Sequence, residues 1–219
     1  MSRQFDLVVF DWDGTLMDSA ARIVSSLQAA GEDLALPDRT DAECRNIIGL
    51  GLFEAISTLH PDIDSEYSSR FADRYRHHFL VASPLPEVLF DGVHEILQSL
   101  EQRQLWLGVA TGKSRKGLNR ALEQTVCKGY FHSTRCADET CSKPDPMMLR
   151  EIIDELAVSP DRTLMVGDTE YDMEMASRAG TAALAVGYGA HEAHRLEQYQ
   201  PLACLDSTQA MAAWLEDNI

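Results

Sequence analysis

Apolar and polar positions divide the chain into regimes with different periods. Leu7 to Phe10 is a short β-prone run without alternation, the pattern of a strand covered on both faces. From Ser19 to about residue 83 the spacing is helical. Ser19 is placed to cap a helix carrying Ile23, Leu27 and Ala30 on one face, with Leu34 continuing that side. Asp41 opens a short helix with Ile47 and Ile48, Gly49-Leu50-Gly51 breaks it, and Phe53, Ile56 and Leu59 line the next. Tyr67, Phe71, Tyr75 and Phe79 then recur every four residues, a stripe expected to pack between helices, with Arg70, Arg74 and Arg76 off it. Ser83-Pro84-Leu85-Pro86 ends the block in an extended, stiff crossing.

Beyond it the pattern alternates: helix (Val93, Ile96, Leu97, Leu100), strand (Leu105 to Ala110), helix, short strand, helix (Leu149, Ile152, Ile153, Leu156), strand (Thr163 to Val166), helix, strand (Ala182 to Val186). Such alternation predicts an α/β fold with a parallel sheet. The expected organisation is a core from residues 1–16 and 85–219, interrupted by a helical unit over 17–84.

Composition narrows the partners. The 219 residues suffice for one core or a core plus a small insertion. A net charge of −16 argues against nucleic acid, which needs a basic face, but not against a small anionic substrate. No apolar run approaches a membrane span, and the N-terminus lacks the pattern of a signal peptide, so the expected location is cytoplasmic. Cys44, Cys127, Cys136, Cys141 and Cys204 are odd in number and scattered, complete no zinc pattern, and read as reduced thiols. His77-His78 and His191-Glu192-Ala193-His194 lack zinc spacing and are assigned to surface or packing.

The chemistry sits at predicted strand ends. Asp11 and Asp13 follow the first strand, with Gly14 supplying the turn. Two carboxylates at about 4 Å repel by roughly 4 kcal/mol at an effective dielectric of about 20, so a divalent hard cation, a shared proton or both must offset them. The plain alternative is an exposed turn whose acids cap the next helix. Thr111-Gly112-Lys113-Ser114 ends the strand from Leu105 and offers a hydroxyl and free amides to an anion. It is not a P-loop, because position 107 is Leu107 where Gly is required. Lys143 lies in Ser142-Lys143-Pro144-Asp145-Pro146, just before a helix, and Asp168 and Asp172 follow Leu164-Met165-Val166-Gly167. Taken singly, these are also consistent with a surface lysine and with helix-capping acids.

In combination, Asp11-Trp12-Asp13-Gly14-Thr15, Thr111, Lys143-Pro144-Asp145-Pro146 and Gly167-Asp168 resemble, in order, the motifs of the haloacid dehalogenase-like hydrolases. The resemblance implies a Rossmann-like parallel sheet with helices on both faces and an inserted α-helical cap, as in phosphoglycolate phosphatases and their relatives. It implies Asp11 as nucleophile toward phosphorus and Asp13 as general acid/base. Thr111, the Gly112 amide and Lys143 would hold the phosphoryl group. Mg2+ would be held by Asp11, the backbone carbonyl of Asp13 and Asp168, with Asp172 supporting the metal or orienting Lys143.

The expected activity is Mg2+-dependent hydrolysis of a small phosphorylated metabolite, with phosphoglycolate as the leading substrate by resemblance. Rival readings are a phosphomutase of the β-phosphoglucomutase type, a phospho-accepting receiver and a non-catalytic binding module; dehalogenation is disfavoured by Asp13. Arg22, Arg39, Arg45, Arg70, Arg74 and Arg76 of the helical unit, or Gly49-Leu50-Gly51, are candidates to read a second anionic group on the substrate. The oligomeric state is open.

Overall fold

The computed structural model describes residues 4–219. β1 (Leu7–Phe10) leads through a tight turn into β2 (Met17–Asp18), and four helices follow: α1 (Ala20–Asp33), α2 (Asp41–Asn46), α3 (Leu52–Leu59) and α4 (Ser65–His77). One π-helical turn, His78–Ala82, ends α4, and the chain returns through β3 (Val88–Leu89). Then come α5 (Val93–Gln102), β4 (Trp106–Thr111), α6 (Arg115–Gln124), β5 (Ser133–Cys136), α7 (Met147–Glu155), β6 (Thr163–Gly167), α8 (Glu170–Ala179), β7 (Ala182–Val186), α9 (Ala193–Leu196), β8 (Cys204–Leu205) and α10 (Thr208–Asn218).

The main sheet has the order β5-β4-β1-β6-β7-β8 with every pair parallel. β1 is central, which is why its residues alternate between two buried faces. Val8 and Phe10 join Leu107, Val109, Leu164 and Val166 under α5, α6 and α10, whereas Leu7 and Val9 join Ala110 and Met165 under α7 and α8. All four residues of β1 have no exposed surface, and each such side chain contributes about 1.5–3 kcal/mol by leaving water. The expected α/β Rossmann-like core with helices on both faces is therefore present. Phe10 pairs with Val109 on one side and Val166 on the other, so the carboxyl ends of β1, β4 and β6 lie at one edge, where α/β sheets bind ligands.

α1 to α4 bury a separate apolar cluster that includes Ile23, Leu27, Ile56, Leu59 and Phe71. The chain enters and leaves this helical segment along β2 and β3, which pair antiparallel. Several details differ from the sequence reading. Phe53 is 51% exposed and Ala55 takes the inward place, because the face is set by Ile56 and Leu59. Tyr67 is exposed at the start of the aromatic stripe, while Phe71 and Phe79 are buried. Ser19 precedes α1 but makes no cap; its hydroxyl donates to Asp13 instead. The sequence pattern does not mark β2, β3 and β8, since two-residue strands carry no period, and it leaves the helix α10 unassigned. Among the described residues, no helix is long and apolar enough to cross a membrane.

Candidate active site

The turn after β1 separates two environments by simple alternation. Trp12 is fully buried and meets Phe131 edge-on at 6.2 Å, which anchors the turn in the core. Asp11 and Asp13 on either side of it lie at the sheet edge. Gly14 has φ +88°, and a Cβ there would stand 2.8 Å from the Asp168 Cγ, so both conformation and space require glycine.

Asp11, Lys143, Asp168 and Asp172 meet in the interior. Lys143, from the loop between β5 and α7, donates from Nζ to Asp11 Oδ1 and Asp172 Oδ1, at 2.6 Å each. Asp172 sits in the first turn of α8, where the Thr169 amide and hydroxyl donate to its Oδ2 at 3.1 and 2.6 Å. Asp168 accepts from the Thr15 hydroxyl at 2.8 Å and from the Ala190 amide at 2.7 Å. Carboxylate oxygens of Asp11, Asp168 and Asp172 lie within 4.8 Å of one another.

Three buried carboxylates face one ammonium, and the electrostatics follow from that imbalance. Burial drives the Asp11 carboxyl well above its usual range; Lys143 opposes this, and Asp172 and Asp168 reinforce it. Burial and the charge of Asp172 raise Asp168 to about 7, against the amide of Ala190 and the Thr15 hydroxyl. Burial works against the Lys143 charge, yet Asp11 and Asp172 outweigh it and hold the ammonium protonated. Asp11 Oδ2 is buried with no hydrogen-bond partner among the described residues, an orphaned acceptor of the kind that a cation or a ligand satisfies. A hard divalent cation therefore fits this oxygen-only donor set.

The other residues singled out in the sequence have different surroundings. The Asp13 carboxylate is not part of the triad: Oδ1 accepts from the Ser19 hydroxyl at 2.5 Å and stands 3.0 Å from Lys113 Nζ. Thr111 ends β4, is fully buried, and its hydroxyl accepts from the Lys113 amide at 3.2 Å. Gly112 lies beneath the loop of the helical segment; a Cβ there would be 2.7 Å from the Gly49 carbonyl oxygen and closer still to that of Leu50. The Gly51 amide, proposed for substrate, donates to Ser142 Oγ at 2.7 Å.

The arginines are mostly committed elsewhere. Arg22 is buried and donates to the carbonyls of Phe79 and Leu85. Arg39 pairs with Glu43, Arg74 with Asp33 and Arg76 with Asp73, while Arg70 lies over the Tyr67 ring. Sequence reasoning missed Lys113 as a neighbour of Asp13. It also missed Asn46, whose backbone carbonyl accepts from the Tyr171 hydroxyl at 2.8 Å and from His191 Nε2 at 3.2 Å, and whose Oδ1 accepts from Arg195. His191 is thus a packing histidine, its Nδ1 taken by the Glu170 amide and its pKa lowered by burial. No local sequence signal marks these contacts, because each joins residues more than a hundred positions apart or side chains of unremarkable spacing.

The chain matches the family model described as haloacid dehalogenase-like hydrolase over residues 8–186. It is 34% identical to a Dickeya dadantii protein named "Probable phosphatase IndB", over 92% of this chain and 89% of that one. It is 31% identical to the N-acetylmuramic acid 6-phosphate phosphatase of Pseudomonas aeruginosa, covering 83% of this chain and 81% of the relative. A hydrolase from Pseudomonas syringae shares the fold, with a TM-score of 0.88, 20% identity and coverage of 97% and 98%. A buried acidic triad beside a lysine at the carboxyl edge of a parallel sheet, matched by a family model over most of the chain, places this protein in the haloacid dehalogenase-like hydrolase family, as an enzyme of its phosphatase group.

Proposed function

We propose that the protein hydrolyses a small phosphomonoester through an aspartyl-phosphate on Asp11. The observation that carries this reading is the placement of Asp11, with one oxygen fixed by Lys143 and the other unpartnered, at the edge shared by Thr111 and Asp168. An Asp11 oxygen attacks phosphorus, and the bond to the ester oxygen breaks with its electron pair. Asp13 gives the departing alkoxide a proton. Water then attacks the phosphorus of the aspartyl-phosphate and passes its proton to Asp13, the bond to Asp11 breaks, and inorganic phosphate leaves. Thr111, the Gly112 amide and Lys143 hold the phosphoryl oxygens, and a lysine's compact charge suits that task. Mg2+, held by Asp11, Asp168 and the Asp13 backbone carbonyl with Asp172 alongside, would neutralise charge shared between nucleophile and phosphate.

α1 to α4 serve, in this reading, as a cap over the site, with β2 and β3 as the connection on which it moves and residues 17–84 as its extent. Phosphoglycolate and N-acetylmuramic acid 6-phosphate, the substrates in the names of relatives from Vibrio vulnificus and Pseudomonas aeruginosa, are the first compounds to try. Five free cysteines suit the reducing cytoplasm.

The test is phosphate release from a panel of phosphomonoesters with Mg2+ or EDTA, using Asp11→Asn as the control. Mg2+-dependent release that falls by about four orders of magnitude or more in the variant is the expected result, since loss of the nucleophile removes the covalent route. Substantial activity remaining in Asp11→Asn refutes the assignment. Isomerised sugar phosphate in place of free phosphate would move the reading to a mutase.

A further inference from the structure

The roles assigned above leave out Lys113, whose surroundings are unusual for a lysine. Its side chain is only 10% exposed, with Nζ 3.0 Å from Asp13 Oδ1, 3.9 Å from Glu87 Oε1 and 4.8 Å from the centroid of the Phe79 ring. Phe79 belongs to the last turn of the helical segment, and Glu87 lies on the strap just before β3. One ammonium therefore joins the proposed acid/base to the point where the cap rejoins the core. Arg22 holds the same point from α1, donating to the Phe79 carbonyl at 2.9 Å and the Leu85 carbonyl at 2.5 Å. Fixing a lysine costs rotamer entropy that an isolated surface ion pair seldom offsets. Here an ion pair, a second carboxylate and an aromatic face act on one low-exposure group.

Asp13 is held by two donors, Ser19 and Lys113, and both use Oδ1. Both restraints act on one oxygen and leave Oδ2 without a hydrogen bond from the described residues. Ser19 precedes α1 and Lys113 follows β4, so the two restraints come from separate elements.

We propose that Lys113 is a positioning residue for Asp13, and that it holds the acid in place only when the strap bearing Phe79 and Glu87 is seated on the core. Closure of the cap then completes the acid as well as covering the site. This inference rests on the reading of Asp13 as acid/base. Its consequence is a dependence on the leaving group. An alkoxide needs the Asp13 proton, whereas p-nitrophenolate departs without it.

The experiment measures the first phosphoryl transfer in the full-length protein with Mg2+. Rapid quench follows an alkyl phosphate such as phosphoglycolate, and stopped-flow absorbance follows the p-nitrophenolate burst. General acid catalysis is worth about 10²–10⁴, so misplacing the acid in Lys113→Met should slow the alkyl transfer about 10- to 100-fold and the aryl burst less than about 3-fold. Lys113→Arg should restore most of the alkyl rate. Glu87→Gln, which keeps both the acid and the lysine but loosens the hold on Lys113, should slow the alkyl transfer by about 3- to 10-fold and spare the burst, as a partial loss of the same positioning.

Equal slowing on both substrates overturns the proposal, as does a raised KM with an unchanged transfer rate. Should Lys113→Met fail to fold, Glu87→Gln decides by the same criterion. Asp13→Asn separates the levels. If it leaves the alkyl rate intact, the acid/base reading itself falls; if it is slow while Lys113→Met and Glu87→Gln are not, only the positioning role falls.

Discussion

Lys143→Met removes the single cation between two buried carboxylates and keeps the length of the side chain. Lys143 has no exposed side-chain surface, and it bonds to Asp11 and Asp172 at 2.6 Å each. Taking one partner out of a buried ion pair costs about 3–5 kcal/mol, because the remaining charge has no compensation. For a chain of this length each kcal/mol lowers Tm by about 2–4 °C, which gives a fall of about 6–20 °C. The pH dependence has a definite sign. Burial and mutual repulsion already raise the Asp11 carboxyl, and losing Lys143, the opposing cause, raises it further. A folded state that binds a proton more tightly than the unfolded chain gains stability at low pH and loses it as pH rises through the raised value. The deficit of the variant should therefore be larger at pH 7.5 than at pH 5. Thermal melts of both proteins in EDTA at the two pH values measure it. A variant within about 2 °C of the parent at pH 7.5, or a deficit that grows on acidification, would refute this account of the buried cluster.

Two further outcomes follow from the same site. Asp168 sits at about 7 in the folded protein against an ordinary 3.8, so without metal its contribution to stability falls by up to about 4 kcal/mol as pH rises between those values. A divalent cation takes the place of that proton; the rise in Tm on adding Mg2+ should be larger at pH 7.5 than at pH 5, and an equal rise at both would contradict the assignment. Gly112→Ala would set a Cβ 2.7 Å from the Gly49 carbonyl oxygen and push the loop of the helical segment off the core. Displacements of this size can cost about 100-fold, so kcat/KM should fall about 10- to 100-fold with Tm nearly unchanged; full activity would mean that the loop does not need to seat there.

The sequence by itself determined the core. Leu7 to Phe10 could bury four consecutive residues only between two helical layers, and the alternation after residue 92 admitted only a parallel sheet, so fold class and the strand-end positions of Asp11, Thr111 and Asp168 were legible from period and turn chemistry. The family motifs brought Lys143 into the same group, although its spacing alone was that of a surface lysine. Contacts of individual side chains were not legible. Arg22 looked like any other cap arginine until the fold wrapped the carbonyls of Phe79 and Leu85 around it. Ser19 had the position of a helix cap, and only the turn after β1 brought Asp13 within reach of its hydroxyl. Lys113 and Glu87 are separated by β3, α5 and β4, and their meeting over Asp13 depends on how β3 returns beside β2. Sequence periodicity fixes which face of an element is buried, because burial is a property of one element against bulk apolar surface. Which polar group meets which across that surface depends on the three-dimensional path of every connection, and only the tertiary structure decides it.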